Sequence, residues 1–150
     1  MTQQPSQGFA LSRTFEAPLE RVFAAWTTPE HFAHWFGGEL AVPVERMTMD
    51  VRPGGVWSLV MHTPDGGELP FSGVYQEVAA PERLVFTLKD AFAPEDAAGE
   101  TVRVALAARG DRTEMAFRQD GGNLTAGQYQ QAEEGWSGFF DRLAALLARA

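Results

Sequence analysis

An apolar stripe with helical spacing runs through the last 25 residues of the chain and limits the folds open to the whole sequence. Thr125 followed by Gln128 is a capping-box pattern, which predicts where this helix begins. A helix of about 25 residues is about 37 Å long, so it needs an equally long apolar surface to cover its stripe. The rest of the chain must supply that surface. The stripe consists of Tyr129, Ala132, Trp136, Phe139, Phe140, Leu143 and Leu147.

Much of the preceding sequence alternates between apolar and polar residues, as strands with one buried face do. Turn residues such as Pro53-Gly54-Gly55 and Gly110-Asp111 separate the strands. Consecutive strands with short connections predict an antiparallel sheet. The longest connection, Asp90 to Glu100, is predicted to be a mobile flap. The predicted strands are 9–15, 47–51, 57–61, 71–78, 84–88, 102–106 and 115–117.

Two short helices are predicted between the first and second strands. Pro18 stands at the first position of one helix, and Thr28 and Pro29 form the N-cap and first position of the other. Gly37-Gly38 ends the second helix. The complete order of elements is typical of an α+β fold. We expect a curved antiparallel sheet of about seven strands around the long C-terminal helix.

The composition is that of a small acidic globular protein. A chain of 150 residues predicts one domain over residues 1–150, with the first eight residues unstructured. Twelve Lys and Arg against 20 Asp and Glu give a formal net charge of −8, which repels phosphate backbones and anionic lipid headgroups. We therefore expect neither a nucleic acid nor a membrane partner. The absence of Cys excludes thiolate chemistry, and the polar start predicts a cytoplasmic protein.

Several short motifs occur in a combination that is specific, although each motif alone is common. They are Glu16-Ala17-Pro18, Val22 to Thr27, Pro29, Trp35-Phe36-Gly37, Asp50 to Gly55 with Trp57, Gly73 to Val78, Pro81 to Leu84, and Gly135-Trp136. Together they resemble the activator of heat-shock-protein-90 ATPase homologue family, a branch of the START-like (SRPBCC) superfamily. The resemblance spans about residues 9 to 148.

This resemblance implies a helix-grip fold with a pocket for a hydrophobic small molecule between the sheet and the C-terminal helix. It does not imply one activity, because such relatives include lipid carriers, hormone receptors, aromatic polyketide cyclases and a co-chaperone domain. The chain has Trp35-Phe36-Gly37-Gly38 where the family commonly has Trp-Trp-Gly-Pro. We also expect no additional chaperone-binding domain. Both departures weaken the transfer of a co-chaperone role.

We expect the pocket to be lined by aromatic and methionine side chains, which suit varied apolar ligands but also form ordinary cores. Gly135 and Gly138 interrupt the long helix at a cost of about 1 kcal/mol each relative to alanine. These glycines either leave room for a ligand beside Trp136 and Phe139, or they serve close packing or a bend. The predicted lining residues are Trp35, Trp57, Met61, Phe86, Phe117, Trp136, Phe139 and Phe140.

Two charged residues are also candidates for ligand binding. Alternation places Arg13 on the apolar face of the first strand, where its guanidinium needs an anionic partner. The guanidinium either pairs with a nearby Glu, or lies at the pocket mouth in water, or binds the carboxylate or phenolate of a ligand. Glu133 lies at the border of the helical stripe, where burial would raise its pKa and suit it to acid–base catalysis, whereas exposure would not. Tyr75 and His62 are further polar candidates whose facing depends on strand register.

His31 and His34 are three residues apart on the second short helix and could face one metal ion, with Glu30 or His62 as a third ligand. Phe32 and Trp35 already occupy the buried face of that helix. This arrangement favours a solvent-exposed edge for the two imidazoles. We therefore expect no metal ion and no cofactor.

Three functional hypotheses follow from the sequence. The first is binding of a hydrophobic small molecule, such as an aromatic, sterol-like or acyl compound. The second is a cyclase- or hydrolase-type enzyme acting on an aromatic or polyketide-like substrate, with Glu133, His62 and Arg13 as candidate proton-transfer or anchoring groups. The third is an interaction protein that modulates a chaperone or another partner through its acidic surface. A homodimer is an additional hypothesis, based on the resemblance and the amount of apolar surface.

Overall fold

Seven strands and three helices make up the described part of a computed structural model, which covers residues 8–38, 40–90, 99–121 and 124–148. A single 3₁₀ turn, Val44–Arg46, precedes the second strand. The helices are α1 (Leu19–Thr27), α2 (Pro29–Trp35) and α3 (Ala126–Ala148). The strands are β1 (Gly8–Phe15), β2 (Thr48–Met49), β3 (Val56–His62), β4 (Glu68–Ala79), β5 (Arg83–Asp90), β6 (Glu100–Arg109) and β7 (Arg112–Asp120).

The strands form one curved, open sheet in the order β1-β7-β6-β5-β4-β3-β2, and neighbouring strands are antiparallel. β1 lies beside β7 because the two short helices carry the chain from one edge of the sheet to the other. α3 packs most closely against β1 and α2. The predicted helix-grip architecture, with two short helices between the first two strands, is confirmed.

The starts of the helices follow the predicted signals closely. The capping box is present at α3: Gln128 N donates to Thr125 Oγ1 at 3.1 Å, and Thr125 N donates to Gln128 Oε1 at 2.9 Å. α2 begins at Pro29 after the N-cap residue Thr28, although the Thr28 side chain makes no capping hydrogen bond. α1 begins one residue later than predicted, with Pro18 as its N-cap.

Strand lengths differ from the predictions at three places. β2 spans only two residues instead of 47–51, because the backbone turns directly after Met49: Arg52 N donates to Asp50 O, and Gly55 N donates to Arg52 O. β6 and β7 are longer than 102–106 and 115–117. Their polar ends continue the alternation, so the ladder between them extends from Thr101 to Arg109.

The prediction of eight unstructured N-terminal residues is wrong for Gly8. This residue begins β1 and pairs in register with Asp120. A Cβ at Gly8 would lie 2.1 Å from the carbonyl oxygen of Gln119, so the strand accepts only glycine there without a shift. Residues 1–7 and the central part of the predicted flap, residues 91–98, lie outside the described residues.

The pairing of β4 with β5 is interrupted beside Gly73. The register pairs Ser72 with Lys89 and then resumes at Tyr75 and Phe86. In the interval, Trp57 Nε1 donates to Thr87 O at 2.9 Å, and Val74 N donates to Thr87 Oγ1 at 2.9 Å. The two strands approach closely here, since a Cβ at Gly73 would lie 1.8 Å from Thr87 O and 2.5 Å from Trp57 Nε1. Side chains therefore make the hydrogen bonds where the pairing is interrupted.

Trp26 of α1 lies at the centre of the core. Its ring contacts aromatic rings from α2, the sheet and α3 at centroid distances of 4.8 to 6.3 Å. Those rings are Phe32, Trp35, Phe86, Phe117, Trp136 and Phe140. Because α1 and α2 insert between one end of the sheet and α3, they fill the space that the curvature leaves there.

Candidate functional site

The interior between the sheet and α3 brings the predicted lining residues together. Around Trp136, the ring centroids of Phe117, Phe36 and Phe139 lie 4.7, 5.3 and 5.6 Å away. In the described part of the chain, aromatic rings therefore occupy the space beside this tryptophan. Seven predicted lining residues are buried, namely Trp35, Trp57, Met61, Phe86, Phe117, Trp136 and Phe140, and Phe139 is half-buried.

Phe71 and Phe139 form what we call the apolar rim of this interior. Both are half-buried and both pack against the buried ring of Phe36, at centroid distances of 6.1 and 5.3 Å. A Cβ at Gly38 would lie 3.4 Å from the Phe139 ring. The rim is thus the part of the aromatic cluster that is only partly covered.

A hydrogen-bonded network of four side chains lies within this aromatic interior, and we call it the interior network. Trp136 Nε1 donates to Gln119 Oε1 at 2.8 Å, and Gln119 Nε2 donates to Glu100 Oε1 at 3.2 Å. Tyr129 OH donates to Glu100 Oε2 at 3.0 Å. Glu100 and Gln119 are only 4% and 3% exposed. Buried polar groups are retained where their hydrogen bonds are made, so this network specifies one arrangement of α3 on the sheet.

The direction of the interior network follows from the chemistry of its members. An indole N–H only donates, so the oxygen of the Gln119 amide must face Trp136. The amide nitrogen then faces Glu100 and donates to it. Donors from α3 and β7 converge on the carboxyl group, which accepts them. Each of the two oxygens of the Glu100 carboxyl group therefore accepts a hydrogen bond within the network.

Glu100 and Gln119 were not predicted as site residues, because the predicted strands ended at Val102 and Phe117. When each predicted strand is extended by one step of the alternation, both residues fall on the inner face. Glu100 lies two positions before buried Val102, and Gln119 lies two positions after buried Phe117. The signal was therefore present in the strand period. The strand period does not predict their hydrogen-bond partners, Trp136 and Tyr129, which lie 17 and 29 residues away in the sequence.

Arg13 lies on the inner face of β1, as predicted, and connects this strand to α3. Its Nη2 donates to Asp141 Oδ1 at 2.7 Å and to Ser137 O at 3.0 Å. The Arg13 side chain is 27% exposed and that of Asp141 is 71% exposed. The anionic partner is an Asp, not the nearby Glu that was considered. Its role as a ligand anchor stays a prediction.

Glu133 and His62 lie away from the interior. Glu133 is exposed, because it lies on the side of α3 that faces away from the sheet. It therefore lacks the burial that the predicted acid–base role requires. His62 ends β3 on the face opposite Met61, and its Nε2 lies 3.7 Å from Glu68 Oε2. Arg46 Nη1 donates to the same oxygen at 2.7 Å. This carboxylate has a lowered pKa because Arg46 hydrogen-bonds to it and attracts it.

Tyr75 faces the interior on β4, with its ring 6.1 Å from that of Phe86. Burial, and secondarily the charge of Asp50, raise the pKa of its hydroxyl. Tyr75 therefore stays protonated and neutral through the ordinary pH range. It adds a second polar group to the inner face, at a distance from the interior network along the sheet.

The glycines of α3 do not serve close packing. Neither at Gly135 nor at Gly138 would a Cβ meet an atom of the described chain within 4 Å. His31 and His34 are exposed on α2. Within residues 8–38, 40–90, 99–121 and 124–148, no three His, Asp or Glu side chains converge on a point that could hold a metal ion.

Two depressions lie on the outer face of the sheet. One of about 430 Å³ is lined by residues 12–14, 105–107 and 114–116. The other, of about 230 Å³, adds Arg83, Arg103 and Arg118 to an alanine floor. Arg103 and Arg118 both lie near Asp120, at 3.7 and 2.8 Å. These depressions are separate from the interior network, which lies on the opposite face.

Comparisons with known proteins agree with this architecture. The family model described as Activator of Hsp90 ATPase homolog 1-like protein matches residues 16–148. None of the curated proteins matches the chain. None of the helices in the described ranges combines the length and the apolar character that a membrane crossing requires.

Solved structures extend the likeness over nearly the whole chain. A protein of Chromobacterium violaceum has a TM-score of 0.84 at 24% identity, covering 95% of this chain and 98% of the other. The AHSA1 protein of Silicibacter pomeroyi has a TM-score of 0.82 at 25% identity, with the same two coverages. A protein of Nitrosomonas europaea has a TM-score of 0.79 at 27% identity, covering 97% and 96%.

Proposed function

The chain belongs to the family of Activator of Hsp90 ATPase homolog 1-like proteins, and from this membership we propose that it binds an apolar small molecule between the sheet and α3. The observation that carries the proposal is the interior network. Binding sites for small molecules are mostly apolar and aromatic walls with a few fixed polar groups. The aromatic interior with its hydrogen-bonded Gln119 and Glu100 has this character.

The apolar rim supports the proposal by offering a route to the interior. Phe71 and Phe139 are held by fewer neighbours than the rings behind them, because each is partly exposed. A rotation of Phe139 would expose Phe36 and Trp136 to a ligand at a modest packing cost.

The methionine methyl groups provide a direct test. Met61 is buried on the inner face, and its methyl carbon would lie 3.4 Å from a Cβ at Gly37, close to the rim. With methyl-labelled methionine and 2-methylnaphthalene as the probe, we expect a saturable shift of the Met61 resonance, assigned by Met61→Leu. The methyl group of half-buried Met47, beside the exposed turn 44–46, should respond less. Shifts confined to Met47 and Met49 would contradict the proposal.

A matched pair of variants on α3 locates the site. Phe139 and Leu146 are both half-buried, but only Phe139 belongs to the rim. Phe139→Ala is expected to weaken the binding of 2-methylnaphthalene several-fold, since a half-buried ring contributes only part of the about 1.5–3 kcal/mol that a fully buried apolar side chain contributes. Leu146→Ala should leave this affinity unchanged. Mass spectrometry of compounds released from the purified protein would then identify a natural ligand.

A further inference from the structure

We propose that the smaller depression on the outer face of the sheet binds a small monocarboxylate with an apolar body, such as an aromatic acid. This site is separate from the interior between the sheet and α3, and it does not depend on the proposed function. Arginine side chains line a concave surface of about 230 Å³ whose floor is made of alanines. We call it the arginine depression, and its outer-face residues are Arg83, Arg103, Arg118, Ala10, Ala105 and Ala116.

The strand register brings the three arginines to one place on the outer face. Arg103 of β6 lies directly opposite Arg118 of β7. Arg83 of β5 lies opposite Ala105, which is two residues from Arg103 on the same face of β6. Cβ atoms of opposite residues in antiparallel strands are about 5 Å apart, and like charges at such positions repel each other. The register therefore concentrates positive charge on a chain with 12 Lys and Arg against 20 Asp and Glu.

Two carboxylates pair with two of these arginines and leave Arg103 as a further cation. Arg83 Nε donates to the two oxygens of Glu77 at 3.0 and 3.1 Å. Arg118 Nε donates to Asp120 Oδ2 at 2.8 Å. Arg103 Nη2 lies 3.7 Å from Asp120 Oδ1, which is beyond hydrogen-bond distance. One unmatched guanidinium favours a ligand with a single negative charge.

Arg103 also holds the hydrogen-bond donors that a carboxylate needs. Among the described residues, none accepts a hydrogen bond from its guanidinium group. The Nη groups of Arg83 likewise have no acceptor in the described ranges, because its contact with Glu77 uses Nε. A guanidinium group is a planar fork that matches the two oxygens of a carboxylate. Arg103 is therefore assigned to the ligand carboxylate, and Arg83 lies beside it.

The alanine floor provides contact for the apolar body of the ligand. Ala116 of β7 lies opposite Ser12 of β1 and Ala105 of β6, so three neighbouring strands carry small side chains at this level. Ala116 is exposed and Ala105 is half-buried. The larger depression, of about 430 Å³, shares these two alanines and extends away from the arginines. A flat ring placed there covers apolar surface, whereas an inorganic anion gains no such contact.

The experiment compares benzoate with benzyl alcohol, its neutral analogue, and with inorganic phosphate, which has no apolar body. Titrations near neutral pH and at low salt are followed at the backbone amide resonances of Ala105 and Ala116. We expect benzoate to bind at least about tenfold more tightly than either of the other two, because only benzoate combines a charge-assisted fork with apolar contact. Its affinity should fall in 1 M salt.

Matched variants separate the arginine fork from general charge. Arg103→Gln should weaken benzoate about tenfold and leave benzyl alcohol unchanged. Arg103→Lys keeps the charge without the fork and should restore only part of the loss. Arg112→Gln also removes an exposed arginine of the sheet, but Arg112 pairs with Glu16 at 3.0 Å outside the depression, so benzoate should bind this variant normally. Because the Arg103 side chain is 48% exposed, we expect its variants to fold, and the urea midpoint checks this.

Each result supports or overturns the proposal. Equal affinities for benzoate and benzyl alcohol, or equal losses in Arg103→Gln and Arg112→Gln, would overturn it, and phosphate bound as tightly as benzoate would overturn the assigned ligand class. If saturating 2-methylnaphthalene displaces benzoate, benzoate occupies the interior, so this proposal is wrong and the proposed function stands. Benzoate binding that requires Arg103 and persists beside 2-methylnaphthalene supports the arginine depression, whatever the fate of the proposed function.

Discussion

The two halves of α3 meet the rest of the protein through different kinds of contact. In the first half, Tyr129 and Trp136 are buried and each donates a hydrogen bond to a polar side chain of the sheet. In the second half, Phe140, Leu143 and Leu147 are buried without polar atoms. Apolar burial is non-directional, whereas a hydrogen-bonded network admits one geometry. The second half therefore provides stability, and the first half provides a site with defined chemistry.

The largest effect is expected in the second half, from Phe140→Ala. Phe140 is fully buried and contacts Trp26, Trp35, Phe117 and Trp136. Loss of the ring should lower the free energy of unfolding by about 3–5 kcal/mol, through lost burial and the cavity left behind. Urea denaturation measures this value. Phe139→Ala, at the half-buried position one residue earlier, serves as the control, and an equal loss in both variants would contradict the assignment of stability to fully buried apolar residues.

A smaller effect is expected from Gln119→Met, which keeps the length of the side chain and removes both polar atoms of its amide. Trp136 Nε1 then loses its acceptor and Glu100 loses a donor. Buried groups left unsatisfied cost about 1–3 kcal/mol. The indole proton resonance of Trp136 should shift at the same time. Gln76→Met, at an exposed position of β4, is the control, and stability unchanged in Gln119→Met would show that the interior network contributes little.

Tyr129→Phe tests the other end of the interior network. The variant removes one donor to Glu100 but keeps the ring that packs against Phe9 at 6.4 Å. We expect a loss of about 1 kcal/mol, typical of one hydrogen bond. Tyr75→Phe is a matched control, because Tyr75 is also a buried residue and no hydrogen bond joins its hydroxyl to another described residue. A similar loss in both variants would assign the effect to the hydroxyl's environment and not to Glu100.

The smallest effect is expected from Asp141→Asn, on the exposed side of the second half. This substitution weakens the contact with Arg13, but Asp141 is 71% exposed. Ion pairs with solvent access contribute about 0–1 kcal/mol. The change in the urea midpoint should therefore be close to the error and should shrink further in 1 M salt. A loss as large as that of Gln119→Met would mean that the contact with Arg13 stabilises the protein as much as the Gln119 hydrogen bonds do.

The sequence predicted the fold well because its signals are local. Alternation located the strands, and the capping box at Thr125 and Gln128 located the start of α3 to the residue. The errors lie at strand ends, where polar residues continue a ladder, as Gln119 does, or where a turn interrupts apolar alternation, as at Asp50. Strand ends depend on partners in the sheet, which a local pattern does not contain.

The candidate site was harder to predict, because its members are polar residues whose burial depends on distant elements. The aromatic lining residues are conspicuous in the sequence, and the structure does bring them together. Glu133 was considered because it lies on the stripe's border, but it is exposed, whereas Glu100 lies inside. Which of the two carboxyl groups is buried depends on how α3 packs against the sheet. A local sequence pattern does not contain that packing.

Gly73 links the pairing of two strands to the position of an interior ring. Thr87 O receives its hydrogen bond from the Trp57 indole, and the neighbouring Val74 N–H donates to the Thr87 hydroxyl. A Cβ at position 73 would lie 1.8 Å from Thr87 O and 2.5 Å from the indole nitrogen, so only glycine leaves both groups where they are. A substitution at this one position would therefore disturb the interior aromatic packing and the hydrogen bonding between β4 and β5 together.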